Sequence, residues 1–151
     1  MSNLELIRGK KNLGKSVGSI IQNEKGEYLA LYRLKHPVGL AFIAGHVDPG
    51  ETPPQANIRE ADEEGAIAVE EQEEVLHRTY DHKDAPCAKG HNGHEWWVYR
   101  VTKFGGEPHL VEDTKHRFVK WMSWDGILEY IARDDVDPGW KVIFRDLGML
   151  K

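Results

Sequence analysis

A single cysteine, Cys87, stands among 151 residues, so no disulfide framework braces the chain. Its thiol usage fits a reducing cytoplasm, the expected compartment. Long apolar runs are also missing. None approaches the roughly 20 residues a helix needs to cross a bilayer, and the first residues lack a secretory signal pattern, so no membrane partner is expected. A basic excess is missing as well: 20 Lys and Arg face 25 Asp and Glu, a formal net charge of −5. Stable engagement of a nucleic-acid backbone needs the opposite balance. The early cations Arg8, Lys10, Lys11 and Lys15 read as an ordinary solvated terminus. Repeats, low-complexity tracts and linkers are absent too, which implies one domain over 1–151, long enough for a substantial core and expected as a monomer or homodimer. Hydrophobic residues at 40% and charged residues at 30% place the chain among soluble globular proteins.

What is present is concentrated in Gly45–Ile67, GHVDPGETPPQANIREADEEGAI. Thr52 is a good N-cap, Pro53 suits the first helical position, and Gln55 three residues after the cap completes a capping box. The helix is expected over 52–65. At 100° per residue, Ile58, Ala61 and Gly65 form a narrow packing stripe, while Glu60, Glu63 and Glu64 gather roughly opposite it. Like charges three and four residues apart destabilise the helix that carries them. A hard divalent cation, Mg²⁺ or Mn²⁺, removes that penalty and keeps positions open for phosphate oxygens. Bound cations also reconcile an acidic chain with an anionic ligand. Arg59 borders this face and can grip a carboxylate bidentately, Glu51 or a neighbour on the helix.

The spacing of Gly45, Glu51, Arg59-Glu60-Ala61-Asp62-Glu63-Glu64 and Ile67 resembles the Nudix hydrolase signature: a glycine, a glutamate six residues later, then REUxEExGU with U a bulky aliphatic. There are two departures. Ala66 stands where the last glycine is usual, with Gly65 one residue early, and Ala61 replaces a larger aliphatic. Gly65 is therefore expected to take the left-handed turn that ends the helix. The resemblance implies an α/β/α sandwich with a mixed central β-sheet, and Mg²⁺-dependent cleavage of a nucleoside diphosphate linked to a group X. It implies that the Gly45 carbonyl, Glu60 and Glu64 are metal ligands, with Glu63 a direct or water-mediated one. Glu51 and Arg59 would brace the loop against the helix. The general base differs among members; Glu63, Glu95 and Glu112 are the candidates here. A small-molecule nucleotide is the expected partner, with a nucleoside triphosphate, canonical or oxidised, going to monophosphate and pyrophosphate as the favoured reaction. Nucleotide sugars, ADP-ribose and dinucleoside polyphosphates are the alternatives. A non-hydrolytic nucleotide-binding module is a second class, disfavoured by the intact acidic cluster, and a related isomerase is disfavoured by the context of Cys87.

Strand-like runs are expected at 17–22 and 27–33, joined by the turn Asn23-Glu24-Lys25-Gly26, and a short apolar segment at 40–44 leads into Gly45. The acidic run 70–74 reads as a solvated edge and 75–81 as extended. Residues 95–104 read as a central strand and 117–123 as another. Helices are expected at 124–133 and from Asp137-Pro138 to about 147. The segment Glu112–Asp125, EDTKHRFVKWMSWD, resembles one found near the end of small nucleotide-hydrolysing members. Further substrate-contact candidates are Arg33, Lys35, His46, His91, His94, Trp96 and Trp97. Neighbours Trp96 and Trp97 must point to opposite sheet faces, so at most one faces a ligand. The spacing of His82, Cys87, His91 and His94 matches no compact structural-zinc pattern, and that loop reads better as a substrate-contacting one.

Overall fold

The computed structural model of the chain describes residues 13–81 and 93–151. Two sheets form its frame. The first has four strands in the order β4 (Ala44–His46), β1 (Leu13–Ile21), β6 (Gly93–Gly105) and β5 (Ala68–Asp81). β1 and β6 run parallel and the other pairs antiparallel, so the sheet is mixed. The second sheet orders β3 (Gly39–Ala41), β2 (Tyr28–Arg33) and β7 (His116–Met122), all antiparallel. Helix α1 (Pro53–Gly65) follows β4, and α2 (Trp124–Ala132) and α3 (Pro138–Asp146) follow β7. Among the described residues no helix is long and apolar enough to cross a membrane.

The β1–β2 connection is the expected turn. Asn23 accepts the backbone N–H groups of Lys25 and Glu27 through its side-chain oxygen, and Gly26 takes φ +81°. Such local side-chain capture of the backbone is why Asn and Gly mark turns. The apolar 40–44 run divides into two short strands around Phe42 and Ile43, both buried. β5 is longer than expected: it pairs with β6 along the acidic run as well, with Glu71, Glu73 and Glu74 in register and a register shift at Glu70. An edge strand leaves these side chains solvated while its backbone hydrogen-bonds, so charge does not end it. The central position expected for the 95–104 strand is found, between β1 and β5.

One core joins the sheets, drawn from Ile20, Leu29, Leu31, Ile43 and Val98 together with Trp140 and Phe144 of α3. Trp140 is fully buried and sits over β1 at Gly18, where an added Cβ would meet its ring atoms at 2.7 and 2.8 Å. The ring also packs edge-on against Trp96 and tilted against Phe42. A glycine in mid-strand here is a packing requirement.

Two expectations about α1 are corrected. Its buried positions are Ala56, Asn57, Ala61, Glu64 and Gly65, while Ile58 is 44% exposed. The polar Asn57 displaces the apolar residue because Ser19 Oγ donates to its Oδ1 at 2.6 Å and its Nδ2 donates to Gln72 at 2.7 Å. Burial with both amide groups satisfied costs little. The helix also ends differently. Gly65 stays helical and packs toward Ile43, and Ala66 adopts the left-handed conformation at φ 59°, ψ 34°. The Ala66 N–H still caps Asp62 O at 3.0 Å. The turn therefore occupies the position where the motif glycine is usual, despite the alanine.

Candidate functional site

The entry to α1 is built as its sequence implies. Thr52 Oγ1 accepts the Gln55 N–H and Gln55 Oε1 accepts the Thr52 N–H, closing the capping box. One turn on, Arg59 organises the surroundings. Its Nε and Nη2 grip Glu51 at 2.9 and 3.0 Å, Nη2 also donates to His46 O at 2.9 Å, and Nη1 donates to Glu60 at 2.7 Å and Glu63 at 3.1 Å. Planar donors in a fixed fork suit this many acceptors, where a lysine would satisfy fewer. The Arg59 bond holds Glu51 below the ordinary carboxylate range, and Glu51 in turn raises Arg59 further above its already high value. This is the expected brace between loop and helix.

Glu60 lies against Gly45, where an added Cβ would overlap the Glu60 carboxylate. Burial, and next the charge of Glu64, push the Glu60 carboxyl up to about 7 despite the opposing Arg59 bond. Glu64 is 7% exposed and thus belongs to the buried side of the helix, not the solvated face expected. The reason is polar: Ala44 N–H donates to its Oε1 at 2.9 Å, and its Oε2 lies 3.3 Å from His116 Nε2. Glu63 remains half exposed.

These residues open on a cavity of about 420 Å³, a size suited to a small ligand. Gly45, Glu60, Glu63 and Glu64 line its acidic side. Of the substrate-contact candidates, Arg33, Lys35, His46, His94, Trp96 and Glu112 also line it. Arg33 is partly engaged, donating to the carbonyls of Pro37 and His36. His94 packs edge-on against both His46 and Trp96. β6 sorts the tryptophans by alternation: Trp96 faces the cavity, whereas Trp97 stacks on His77 on the other face. Glu95 shares that outer face, with Oε2 2.7 Å from His77 Nε2, so it is removed from the candidates for a base. His91, His82 and Cys87 lie outside the described residues.

Lys115, His116 and Asp137 are among the lining residues that were not singled out as site residues in the sequence. Lys115 Nζ donates to Glu112 Oε2 at 3.1 Å, and that carboxylate raises the lysine above its ordinary value. His116 is 3% exposed. Asp137 is the N-cap of α3, accepting the Gly139 N–H, and burial raises its carboxyl. The first two were legible as the Lys-His pair following Glu112, but only folding brings them against α1. Ligand atoms of Glu64, Glu112 and His116 all lie within 4.8 Å of one another, a group that could hold a divalent cation.

Comparison with known proteins agrees with this geometry. No curated protein matches the chain significantly. Among solved structures, a MutT Nudix hydrolase from Burkholderia pseudomallei is similar at 26% identity and TM-score 0.66, over 77% of this chain and 87% of that one. A MutT structure from work on Aliivibrio salmonicida and Vibrio cholerae aligns at 28% identity and TM-score 0.61, over 78% and 86%. An Ap4A hydrolase from C. elegans aligns at 25% identity and TM-score 0.56, over 78% and 85%. The model of the NUDIX domain matches residues 12–145. A match across nearly the whole of the fold shows that this chain belongs to the Nudix hydrolase family, enzymes that cleave a phosphoanhydride bond of a nucleotide.

Proposed function

We propose that the chain hydrolyses a nucleoside triphosphate, canonical or oxidised, to the nucleoside monophosphate and pyrophosphate, with Mg²⁺ as cofactor and Mn²⁺ able to substitute. The observation that carries this reading is the presence of Glu60, Glu63, Glu64 and Glu112 together with Arg33, Lys35 and Lys115 around one cavity. Such a lining meets a polyphosphate from both sides, with cations for its oxygens and carboxylates for the metal it brings. The likeness to MutT structures at 26% and 28% identity supports Nudix-type hydrolysis of a nucleotide phosphoanhydride.

The donor set fits a hard cation, since it is carboxylate-rich and Glu60 is held against its own ionisation by burial. The Gly45 carbonyl, Glu60 and Glu64 would hold it, and when bound it supplies charge neutralisation at the phosphates and Lewis acidity. Glu51 and Arg59 fix the loop and helix so that these oxygens converge. Glu63 is the base this reading favours. Glu64 is engaged by Ala44 N–H and Glu60 is only 13% exposed, whereas Glu63, although also bonded by Arg59, is 49% exposed. Water oxygen forms the new bond to phosphorus as its proton passes to Glu63, and the bridging P–O bond breaks with its electron pair leaving on pyrophosphate. Lys115, Arg33 and Lys35 stabilise charge on the phosphate oxygens.

A second reading, hydrolysis of a dinucleoside polyphosphate, draws on the Ap4A hydrolase likeness. The test is product identification across nucleoside triphosphates, dinucleoside polyphosphates, ADP-ribose and nucleotide sugars, with Mg²⁺ or EDTA. Glu64→Gln should abolish turnover while leaving the fold intact. Metal-dependent release of pyrophosphate from a triphosphate, lost in that variant, is the expected result. Cleavage confined to dinucleotides or sugars overturns the substrate, and full turnover by Glu64→Gln overturns that residue's role.

A further inference from the structure

The residue least explained by phosphate chemistry is His116. A hard Mg²⁺ site is built from oxygen, yet here an imidazole is 97% removed from solvent at the acidic end of the cavity. Its Nε2 lies 3.3 Å from Glu64 Oε2, and its buried Nδ1 has no hydrogen-bond partner among the described residues. Buried polar atoms are rarely left so. An apolar residue would fill the space without that cost, so packing alone gives no reason for a histidine.

The groups around the ring are informative. Glu64 and Glu112 bring carboxylates, and the ligand atoms of all three residues lie within 4.8 Å of one another. Ligands about 2.1 Å from a shared ion stand about 3 to 4 Å apart, so small side-chain adjustments suffice. Lys115 is a cation beside these carboxylates, and it donates to Glu112 Oε2. Glu64 is fixed by Ala44 N–H through Oε1, which leaves Oε2 directed at the imidazole. Two carboxylates and one ring nitrogen form a donor set of mixed hardness, which favours first-row transition ions over Mg²⁺.

We propose that Glu64, Glu112 and His116 form a mixed nitrogen–oxygen cation site, with His116 as a direct ligand that gives this protein a preference for Co²⁺, Mn²⁺ or Zn²⁺ over Mg²⁺. The site adjoins the phosphoanhydride centre proposed above and shares Glu64 with it, so the inference rests on that reading and adds a transition-ion position beside the Mg²⁺ held by Gly45, Glu60 and Glu64. It is tested with metal alone, without nucleotide, so failure of triphosphate turnover leaves it standing.

The experiment uses the full chain labelled with ¹⁵N-histidine. On titration with Zn²⁺, an assigned His116 ring nitrogen should leave its free-imidazole position while the other ring nitrogen keeps its own. In parallel, Co²⁺ and Mg²⁺ affinities are measured by calorimetry for the native chain and for His116→Gln, which retains a hydrogen-bonding head. The native Co²⁺-to-Mg²⁺ affinity ratio should be about tenfold or more above that of the variant, with Mg²⁺ affinity nearly unchanged. An unmoved His116 nitrogen at saturating Zn²⁺ overturns the proposal, whatever the variant does. Equal ratios in a folded His116→Gln protein also overturn it and leave His116 a hydrogen-bond partner of Glu64.

Discussion

Replacing Glu60 with Gln should make the metal-free protein more stable at pH 8 while disabling its chemistry. The Glu60 carboxyl ordinarily titrates near 4.5, and burial beside Glu64 lifts it to about 7. Below pH 4.5 both the folded and unfolded chains hold this proton, and no penalty exists. Between 4.5 and about 7 the unfolded chain has released it while the folded chain retains it, so stability falls as pH rises. Above 7 the penalty is complete, at most about 3 kcal/mol from the linkage relation. Glutamine removes the buried charge but weakens the bond from Arg59 Nη1, a loss of about 1 kcal/mol. The net gain is about 2 kcal/mol, or roughly 4–8 °C in Tm for a chain of this size. The assay is thermal unfolding of both proteins in EDTA from pH 5 to pH 9. The difference in Tm should be near zero or negative at pH 5, grow through pH 7, and level off. A constant difference across this range would refute the reasoning, because it would show that Glu60 ionises as freely in the folded chain as in the unfolded one.

Other outcomes follow from the same contacts. Mg²⁺ should raise Tm at pH 8 by an amount equivalent to about 1.4 kcal/mol at ten times its dissociation constant, and by less at pH 5.5; a flat titration would remove the carboxylate cluster as a nucleotide-independent cation site. Ala66→Gly should stabilise by about 0.5–1 kcal/mol, since the left-handed turn strains alanine and suits glycine, a gain offset in part by glycine's greater freedom when unfolded. A lower Tm for that variant would show that the Ala66 methyl packs usefully. Gly45→Ala should lose activity and about 1–3 kcal/mol of stability through overlap with Glu60; the double variant with Glu60→Ala should recover the stability but not the activity, and a double variant as unstable as the single would place the strain elsewhere.

The parts of this protein that could be read in advance are those governed by neighbours in the chain. The capping box at Thr52 and Gln55 is a contact across three residues, and it formed as expected. The Asn23–Gly26 turn is equally local. Alternation in β6 separated Trp96 from Trp97 because a strand has a period of two. The Arg59–Glu51 grip was legible as a bidentate donor beside a carboxylate, and the family signature supplied the spacing. The face of α1 was not legible to the same degree. An apolar stripe favours Ile58, yet Asn57 is buried because Ser19 and Gln72 come from other strands to satisfy it. Gly65 was the natural residue for the left-handed turn, but its position against Ile43 keeps it helical and passes the turn to Ala66.

The site divides in the same way. The sequence by itself determined the acidic helix, its capped start, its arginine brace and the kinship those residues announce, because each depends on spacing within 23 residues, Gly45 to Ile67. Only the tertiary structure decided that Glu64 turns inward, that Glu95 faces away, and that Glu112, Lys115 and His116 meet the helix across the cavity. Contacts such as His116 to Glu64 join residues from different sheets and helices, and no periodicity along the chain encodes them. They arise because β7 pairs with β2 in one sheet while α1 packs on β1, β4 and β5 of the other, and a common core joins the two. Burial in that arrangement is also what lifts Glu60 out of the ordinary carboxylate range.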